Sequence, residues 1–311
     1  MILLVGAGPM AVEYAKVLKA LRATFLVVGR GEKSAVDFKS QTAEQPIVGG
    51  LSRWLAQTKK VYNRAIVAVT ENELGNATRS LIMAGVKSIL VEKPGGHDSE
   101  DIKKVAKLAK TKNADVFVGY NRRFYSSVLA AQKIIQKDGG VSSFSFDFTE
   151  RSYVIDKLKK APGVKENWFL QNSSHVIDMA FFLGGQPKSI NSLRSGKLKW
   201  HKPALFTGAG ISEGGALFSY HADWKSAGRW GVEIMTPGNK LILRPLEKLF
   251  IQKFGSMEIE ETKIDDSLDQ KFKPGLYLQV QSFLTNKKDL PTIEEQVGHL
   301  KYYKAIGGAN V

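Results

Sequence analysis

Gly6 and Gly8 stand where an apolar run, Ile2-Leu3-Leu4-Val5, gives way to a helical pattern through Val12, Tyr14, Ala15, Leu18 and Leu21. The spacing is Gly-x-Gly-x-x-Ala, from Gly6 to Ala11. Strand, glycine turn and helix, in that order, make a site for the pyrophosphate of a dinucleotide. Gly6 allows the tight turn. Gly8 has no side chain, so a pyrophosphate can come close to the backbone. Pro9 and Met10 begin the helix, whose free N–H groups and positive dipole end face the phosphates. Ala11 stands in place of a third glycine, and a methyl group there still permits helix–strand packing. A glycine triplet alone says little; its place between strand and helix gives it meaning.

The residues after the second apolar run, Phe25–Val28, bear on which dinucleotide binds. They read Gly29-Arg30-Gly31-Glu32-Lys33-Ser34. A site for NAD usually carries an acidic residue here for the ribose 2′-hydroxyl. Gly29 leaves room, and Arg30 offers a forked contact to a 2′-phosphate, with Lys33 and Ser34 adding donors. Glu32, further into the loop, argues the other way. The bland alternative is that Arg30 is a solvated turn residue. The expectation is NADP as the preferred cofactor, with NAD second.

These residues need a frame. Over the first 120 residues strands and helices alternate: Phe25–Val28, Ala65–Thr70, Ser88–Val91 and Val116–Val118 as strands, Ala77–Ala84 and Ile102–Ala109 as helices. Such alternation predicts a parallel sheet with helices on both faces, and ligands at the carboxyl ends of its strands. Beyond about residue 122 the pattern changes. A helix over Val128–Ile135 precedes Ser143–Phe148, where phenylalanines alternate with polar residues. Ala216–Trp224, Trp230–Met235, Lys240–Leu243 and Met257–Ile259 are strand-like, with Pro237-Gly238-Asn239 a turn signal. Short turns between strands predict a mostly antiparallel sheet. Helices over Tyr277–Leu284 and Glu294–Ile306 close the chain. The expected division is a dinucleotide-binding α/β domain over 1–120 and an α+β domain with an open, mostly antiparallel sheet over 121–311.

Composition narrows the classes. The 311 residues suffice for two cores, and no apolar run approaches the roughly 20 residues that cross a bilayer. The start has no basic segment leading into a signal-like core. With no cysteine there is no disulfide, thiolate metal site or thiol nucleophile, which fits the cytoplasm. The five histidines are scattered, with no metal-ligand spacing. A formal charge of +15 reads first as a lysine-rich solvated surface, second as a preference for anionic small ligands. No zinc-finger pattern, arginine-rich arm or RNA-recognition signature supports nucleic acid.

Three further clusters make the reading specific: Glu92-Lys93-Pro94, following Val-Lys-Ser-Ile-Leu-Val; Gly119-Tyr120-Asn121-Arg122-Arg123-Phe124; and Ser173-Ser174-His175-Val176-Ile177-Asp178. With the glycine turn, they resemble the glucose–fructose oxidoreductase / inositol dehydrogenase / rhizopine catabolism (Gfo/Idh/MocA) family over nearly the whole chain. The resemblance implies a Rossmann domain, a second domain whose open sheet carries the substrate, and hydride transfer between a nicotinamide and a sugar or cyclitol carbon. It places Glu92, Lys93 and Pro94 at the cofactor, with a Lys93–Pro94 peptide that is often cis. Lys93 would reach the reacting hydroxyl, where a cation stabilises alkoxide charge. His175 resembles the family's acid–base residue, apt because an imidazole titrates near neutrality. Thr70 and Asn72 match part of a Thr-Pro-Asn beside the cofactor, with Glu71 replacing the proline. Tyr120 and Asn121 are candidates to touch nicotinamide or substrate, and Arg122 to touch substrate. Trp168 is either a sugar-stacking wall or core.

The chain departs from the pattern at Gln171, where many members carry an aspartate four residues before the histidine. Glutamine binds a hydroxyl but takes no proton. Gln171 and the uncharged Asn172 are therefore expected to bind substrate, leaving Lys93 and His175 as the catalytic pair. Asp178 is a candidate to orient the His175 ring, or simply to pair within its helix. The function expected is an NAD(P)-dependent oxidoreductase of a sugar, amino sugar or nucleotide sugar, forming a homodimer or homotetramer through the second domain's sheet. A catalytically silent nucleotide-binding sensor or scaffold, and a redox-assisted glycosidase with tightly bound NAD, are the alternatives.

Overall fold

The computed structural model describes residues 1–58 and 62–308, which divide into two compact units. The first contains Met1–Tyr120 and Leu276–Gly298; the second contains Asn121–Gly275 and the chain from His299 onward.

In the first unit, β1 (Ile2–Val5), β2 (Phe25–Val28), β3 (Arg64–Val67), β4 (Ser88–Glu92) and β5 (Asp115–Gly119) form one parallel sheet in the order β2-β1-β3-β4-β5. Every residue of β1 is buried, as expected of a strand covered on both faces. The connecting helices are α1 (Pro9–Ala20), α2 (Glu32–Thr42), α3 (Leu51–Gln57), α4 (Leu74–Met83) and α5 (Ser99–Lys112). Ala11, Val12, Tyr14, Ala15, Val17 and Leu18 form the buried stripe of α1. Local signals set the ends of α5. Asp98 caps its start by accepting from the Asp101 N–H at 2.8 Å, and Asn113 ends it in the left-handed conformation. The order reverses between β1 and β3, a switch point that opens a crevice at their carboxyl ends.

The second unit holds α6 (Ser126–Lys137), β6 (Ser143–Asp147), α7 (Ser152–Ile155), α8 (Ser174–Gly184), β7 (Pro187–Ser195), β8 (Leu205–Ser212), β9 (Leu217–Asp223), β10 (Gly231–Met235), β11 (Asn239–Leu243), β12 (Phe250–Lys253), β13 (Glu260–Glu261) and α9 (Ser267–Lys271). The eight strands lie in the order β13-β12-β11-β10-β6-β9-β8-β7, antiparallel except for β6 against β9. One face carries Phe144, Phe146, Phe218 and Tyr220 in mutual ring contact, with Phe181 of α8 packed on them. A π-helical turn, Phe169–Ser173, leads directly into α8.

Two expectations need correction. Met257–Ile259 is not a strand: the chain turns at Phe254-Gly255 and pairs again only at Glu260–Glu261, leaving Met257 91% exposed. Strand-prone residues form no strand where no neighbour offers backbone partners. The stretch Leu276–Gly298 packs with the first unit, although the sequence places everything beyond residue 120 in the second. It contains α10 (Leu276–Leu284) and the start of α11 (Ile293–Gly307). Arg64 donates to the Leu284 carbonyl at 2.9 Å, the Val118 N–H donates to the Pro291 carbonyl at 2.9 Å, and Phe283 meets Phe117 edge-on. An amphipathic helix shows its buried face in sequence, but not which layer will cover it.

Candidate functional site

In the first unit the glycine turn follows β1 as expected. Gly6 has φ +122°, and a Cβ there would run into the Ala68 carbonyl at the end of β3. Glycine is required twice over, by conformation and by contact. Gly8 is different: its φ is −87°, and an added Cβ would meet nothing within 4 Å. No side chain caps α1 and its first turn has no acidic residue, with Pro9 at the first position. The helix therefore presents uncapped N–H groups and its positive end to open space beside Gly8.

Gly29 lets the end of β2 approach that turn, since a Cβ would come 2.9 Å from the Ala7 Cβ. Arg30 and Lys33 are exposed, and the Ser34 hydroxyl donates to the Gly31 carbonyl at 2.9 Å. Thr70 precedes a short 3-10 turn, Glu71–Glu73, and Asn72 projects outward from it.

Glu92 ends β4, Lys93 and Pro94 follow it, and the Lys93–Pro94 peptide is cis. The turn closes through the Gly95 N–H on the Glu92 carbonyl at 3.0 Å. It is braced from three sides. Tyr14 of α1 donates to Glu92 Oε1 at 2.7 Å, with Gln279 Oε1 3.3 Å away. Gln296 of α11 donates to the Pro94 carbonyl at 3.1 Å and to the Tyr120 hydroxyl at 2.9 Å. Ile293 fills the space where a Gly95 Cβ would lie. Burial and the Glu92 charge hold the Tyr14 phenol well above its ordinary pKa, so it remains a donor. Tyr14, Gln279 and Gln296 have no signal in sequence; they are ordinary residues on helix faces. Tyr120 is fully buried, so in this structure it braces the Lys93 turn rather than offering a surface to a ligand.

In the second unit another cluster gathers at the start of α8. His175 is buried, with its ring centroid 6.4 Å from that of Trp230. The Arg122 guanidinium lies over the same Trp230 ring at 4.8 Å and near Tyr125 at 5.9 Å. Glu150, three residues past β6, is buried. Its Oε1 accepts from the Ser173 hydroxyl at 2.7 Å, and its carboxylate accepts from the Asn172 amide at 3.0 and 3.1 Å. Burial raises the Glu150 pKa, opposed by Ser173 and Asn172, then Trp168, then the Arg122 charge. The sequence reading misses Glu150; its only signal is an acidic residue at the end of an apolar strand.

Several expected ligand groups are occupied by protein. The Asn172 amide holds Glu150. The Asn121 amide donates to the Pro274 carbonyl at 2.8 Å. Asp178 does not orient His175: its two oxygens accept the Arg123 fork at 2.8 and 2.6 Å, deep in the unit. Trp168 sits edge-on to Trp200, which stacks on Trp224, so it belongs to an aromatic group that continues into the core. Gln171 is buried on the π-helical turn that follows.

Residues 1–120 match the model of an oxidoreductase family with an NAD-binding Rossmann fold, GFO_IDH_MocA. Inositol 2-dehydrogenase of Rhizobium meliloti (strain 1021) is 32% identical over 111 residues, 34% of this chain and 32% of that protein. The alignment thus spans about a third of that relative's length. Among solved structures, the WlbA dehydrogenase from Bordetella pertussis, in complex with NADH and UDP-GlcNAcA, superposes with a TM-score of 0.72 at 17% identity, covering 98% of this chain and 94% of that one. An NAD-binding oxidoreductase from Klebsiella pneumoniae gives 0.77 at 14% identity, covering 98% and 95%. At such identities the likeness is one of fold.

Proposed function

We propose that this chain, whose residues 1–120 match the Gfo/Idh/MocA oxidoreductase family model, is a cytosolic NAD(P)-dependent oxidoreductase of that family. Its substrate would be a sugar, amino sugar or nucleotide sugar. The observation that carries the reading is the turn at Gly8. A helix start without a cap, beside a glycine whose missing side chain no protein atom replaces, is a cradle for a pyrophosphate.

When bound, the nicotinamide accepts or supplies the hydride. The chain's own residues do the rest. Gly6, Gly8 and the N–H groups after Pro9 hold the phosphates. Thr70 and Asn72 flank the cofactor side of the crevice. Lys93, on its braced turn, stabilises negative charge on the substrate oxygen as its carbon is oxidised. His175 takes the hydroxyl proton in that direction and returns it in reduction. Arg122, whose guanidinium lies over Trp230, would bind acceptor groups of the sugar.

NADP is the preferred cofactor in this reading. Arg30 is exposed beside the end of β2, and no acidic residue stands directly after that strand. Leu205, Ile211, Leu217, Met235 and Ile242 point from the sheet face opposite Phe144 and Phe146, which supports pairing of subunits through that face.

The test is a titration of cofactor-stripped protein with NADPH and NADH, followed by fluorescence. NADPH should bind more tightly, and Arg30→Ala should remove that preference while leaving NADH binding unchanged. Tighter NADH binding would discard the Arg30 assignment. A folded protein that bound neither would discard the oxidoreductase reading. Cofactor binding with no turnover on any sugar, unaltered by His175→Ala, would favour the silent sensor.

A further inference from the structure

Glu150 is a buried carboxylate that the mechanism above does not use. It lies on the loop between β6 and α7, 22 and 23 residues before the two donors it binds. Those donors, Asn172 and Ser173, end the π-helical turn that stops two residues before His175. Asn172 lies three residues before His175, so the turn that Glu150 holds sets where α8, and His175 with it, begins. From the other side, Glu150 faces the positive charge of Arg122, which is stacked on Trp230, the ring beside His175. Two independent paths thus join Glu150 to the histidine, one along the helix and one through Arg122 and Trp230.

Among the described residues of the second unit, the charged groups around this turn are these. Arg122 and Arg123 come from the 3-10 turn over 121–124, and Arg123 is consumed by Asp178. Asp147 of β6 and Glu233 of β10 alternate with buried residues and so point from the opposite sheet face, where they pair with Arg244 and Lys240. Arg151, next to Glu150, is exposed. Gln171 is buried but carries no charge. A carboxylate held by a hydroxyl and an amide, with Arg122 facing it as a cation, is a costly group to keep inside a protein unless its charge is used.

We propose that Glu150 is a positioning residue for His175: its carboxylate holds the Asn172–Ser173 turn in place and supplies the negative charge that favours the imidazolium form of His175. The consequence for catalysis rests on His175 being the acid–base group, but the charge coupling itself does not.

The test is a proton titration of the full-length protein with isotope-labelled histidine, followed by NMR, with the His175 signal assigned through His175→Gln. Glu150→Gln keeps size and an acceptor for Ser173 while removing the charge. It should lower the His175 pKa by roughly half to one unit, about a three- to tenfold change in the protonation constant, with His97, His221 and His299 unmoved. Glu150→Asp, which keeps the charge, should restore most of the shift. In the wild type, the His175 resonance should also show a second inflection as Glu150 titrates, which keeps the test available if Glu150→Gln does not fold. An unchanged His175 titration in folded Glu150→Gln would overturn the proposal. So would a wild-type resonance with no second inflection, or an imidazole that stays neutral in all variants down to the acid limit of folding. If the coupling is present and no sugar oxidation is found, the functional reading fails and the coupling stands.

Discussion

The two candidate regions are made of different material. At the glycine turn of the first unit the candidate surface is backbone: N–H groups at a helix start, exposed because two glycines take up no room. At the start of α8 in the second unit it is side chain: His175, Arg122, Trp230 and Glu150 arrive from four separate segments and are held by one another. A backbone site is specified by a handful of consecutive residues. A side-chain site is specified by the packing that brings distant residues together, so its parts are individually unremarkable in sequence.

The contrast can be broken by substitution. The largest effect should come from Arg123→Ala, which leaves Asp178 buried and unpaired, at a cost of about 3–5 kcal/mol in urea unfolding. If the cost is below about 1 kcal/mol, the side-chain region is not held together by its internal pairs. Next is Gly6→Ala. Its positive φ and the Ala68 carbonyl both oppose a methyl group, so a loss of about 2–3 kcal/mol is expected, together with loss of cofactor binding.

Gly8→Ala separates fold from ligand. Open space and an ordinary φ mean that the thermal midpoint should move little, with at most about 1 kcal/mol lost from the helix start. NADPH affinity should nevertheless fall by about tenfold or more. Equal damage to stability and binding would show that Gly8 is a packing residue. Tyr14→Phe removes the brace on Glu92 and should cost about 1 kcal/mol, with a drop in turnover larger than any change in cofactor affinity.

The smallest effect concerns pH. Burial depresses the His201 pKa; its Nδ1 lies 2.7 Å from the Pro203 carbonyl and its ring packs against Trp224. The unfolded chain therefore takes up a proton near pH 6.5 that the folded chain refuses, so stability is full above that pH and falls as pH drops toward the lower folded value. His201→Gln should flatten the difference in thermal midpoint between pH 7 and about pH 5.5. An unchanged slope would assign the acid sensitivity to other groups.

Legibility followed the same division. β2 is read from sequence at its observed bounds, Phe25–Val28, and β4 nearly so, because buried parallel strands are short continuous apolar runs between polar ends. β7 and β8 are not read at all. β7 is a polar edge strand, and β8 is interrupted by Gly208 and Gly210, whose missing side chains make room for Tyr220 and Phe218. At the sites, Gly6, Gly8, Lys93 and His175 stand out by motif, whereas Glu150, Gln296 and Tyr14 do not. Asn121 and Asn172 are read as ligand-binding amides because an amide's chemistry is visible in sequence and its hydrogen-bond partner is not.

What the amino-acid order determined by itself is everything that depends on neighbours within a few residues: the alternating elements of the first unit, the glycine turn, the cap of α5, the cis-compatible Lys93–Pro94 step and the phenylalanine alternation of β6. Backbone conformation and side-chain period are local properties, so a short window suffices. Tertiary structure alone decided that residues 276–298 return to the first unit and brace the Lys93 turn. It also decided that Asp178 serves Arg123 rather than His175, and that the buried carboxylate beside the π-helical turn is Glu150. Those outcomes depend on which of several chemically adequate partners arrives within about 3 Å, and that is settled by how whole layers pack.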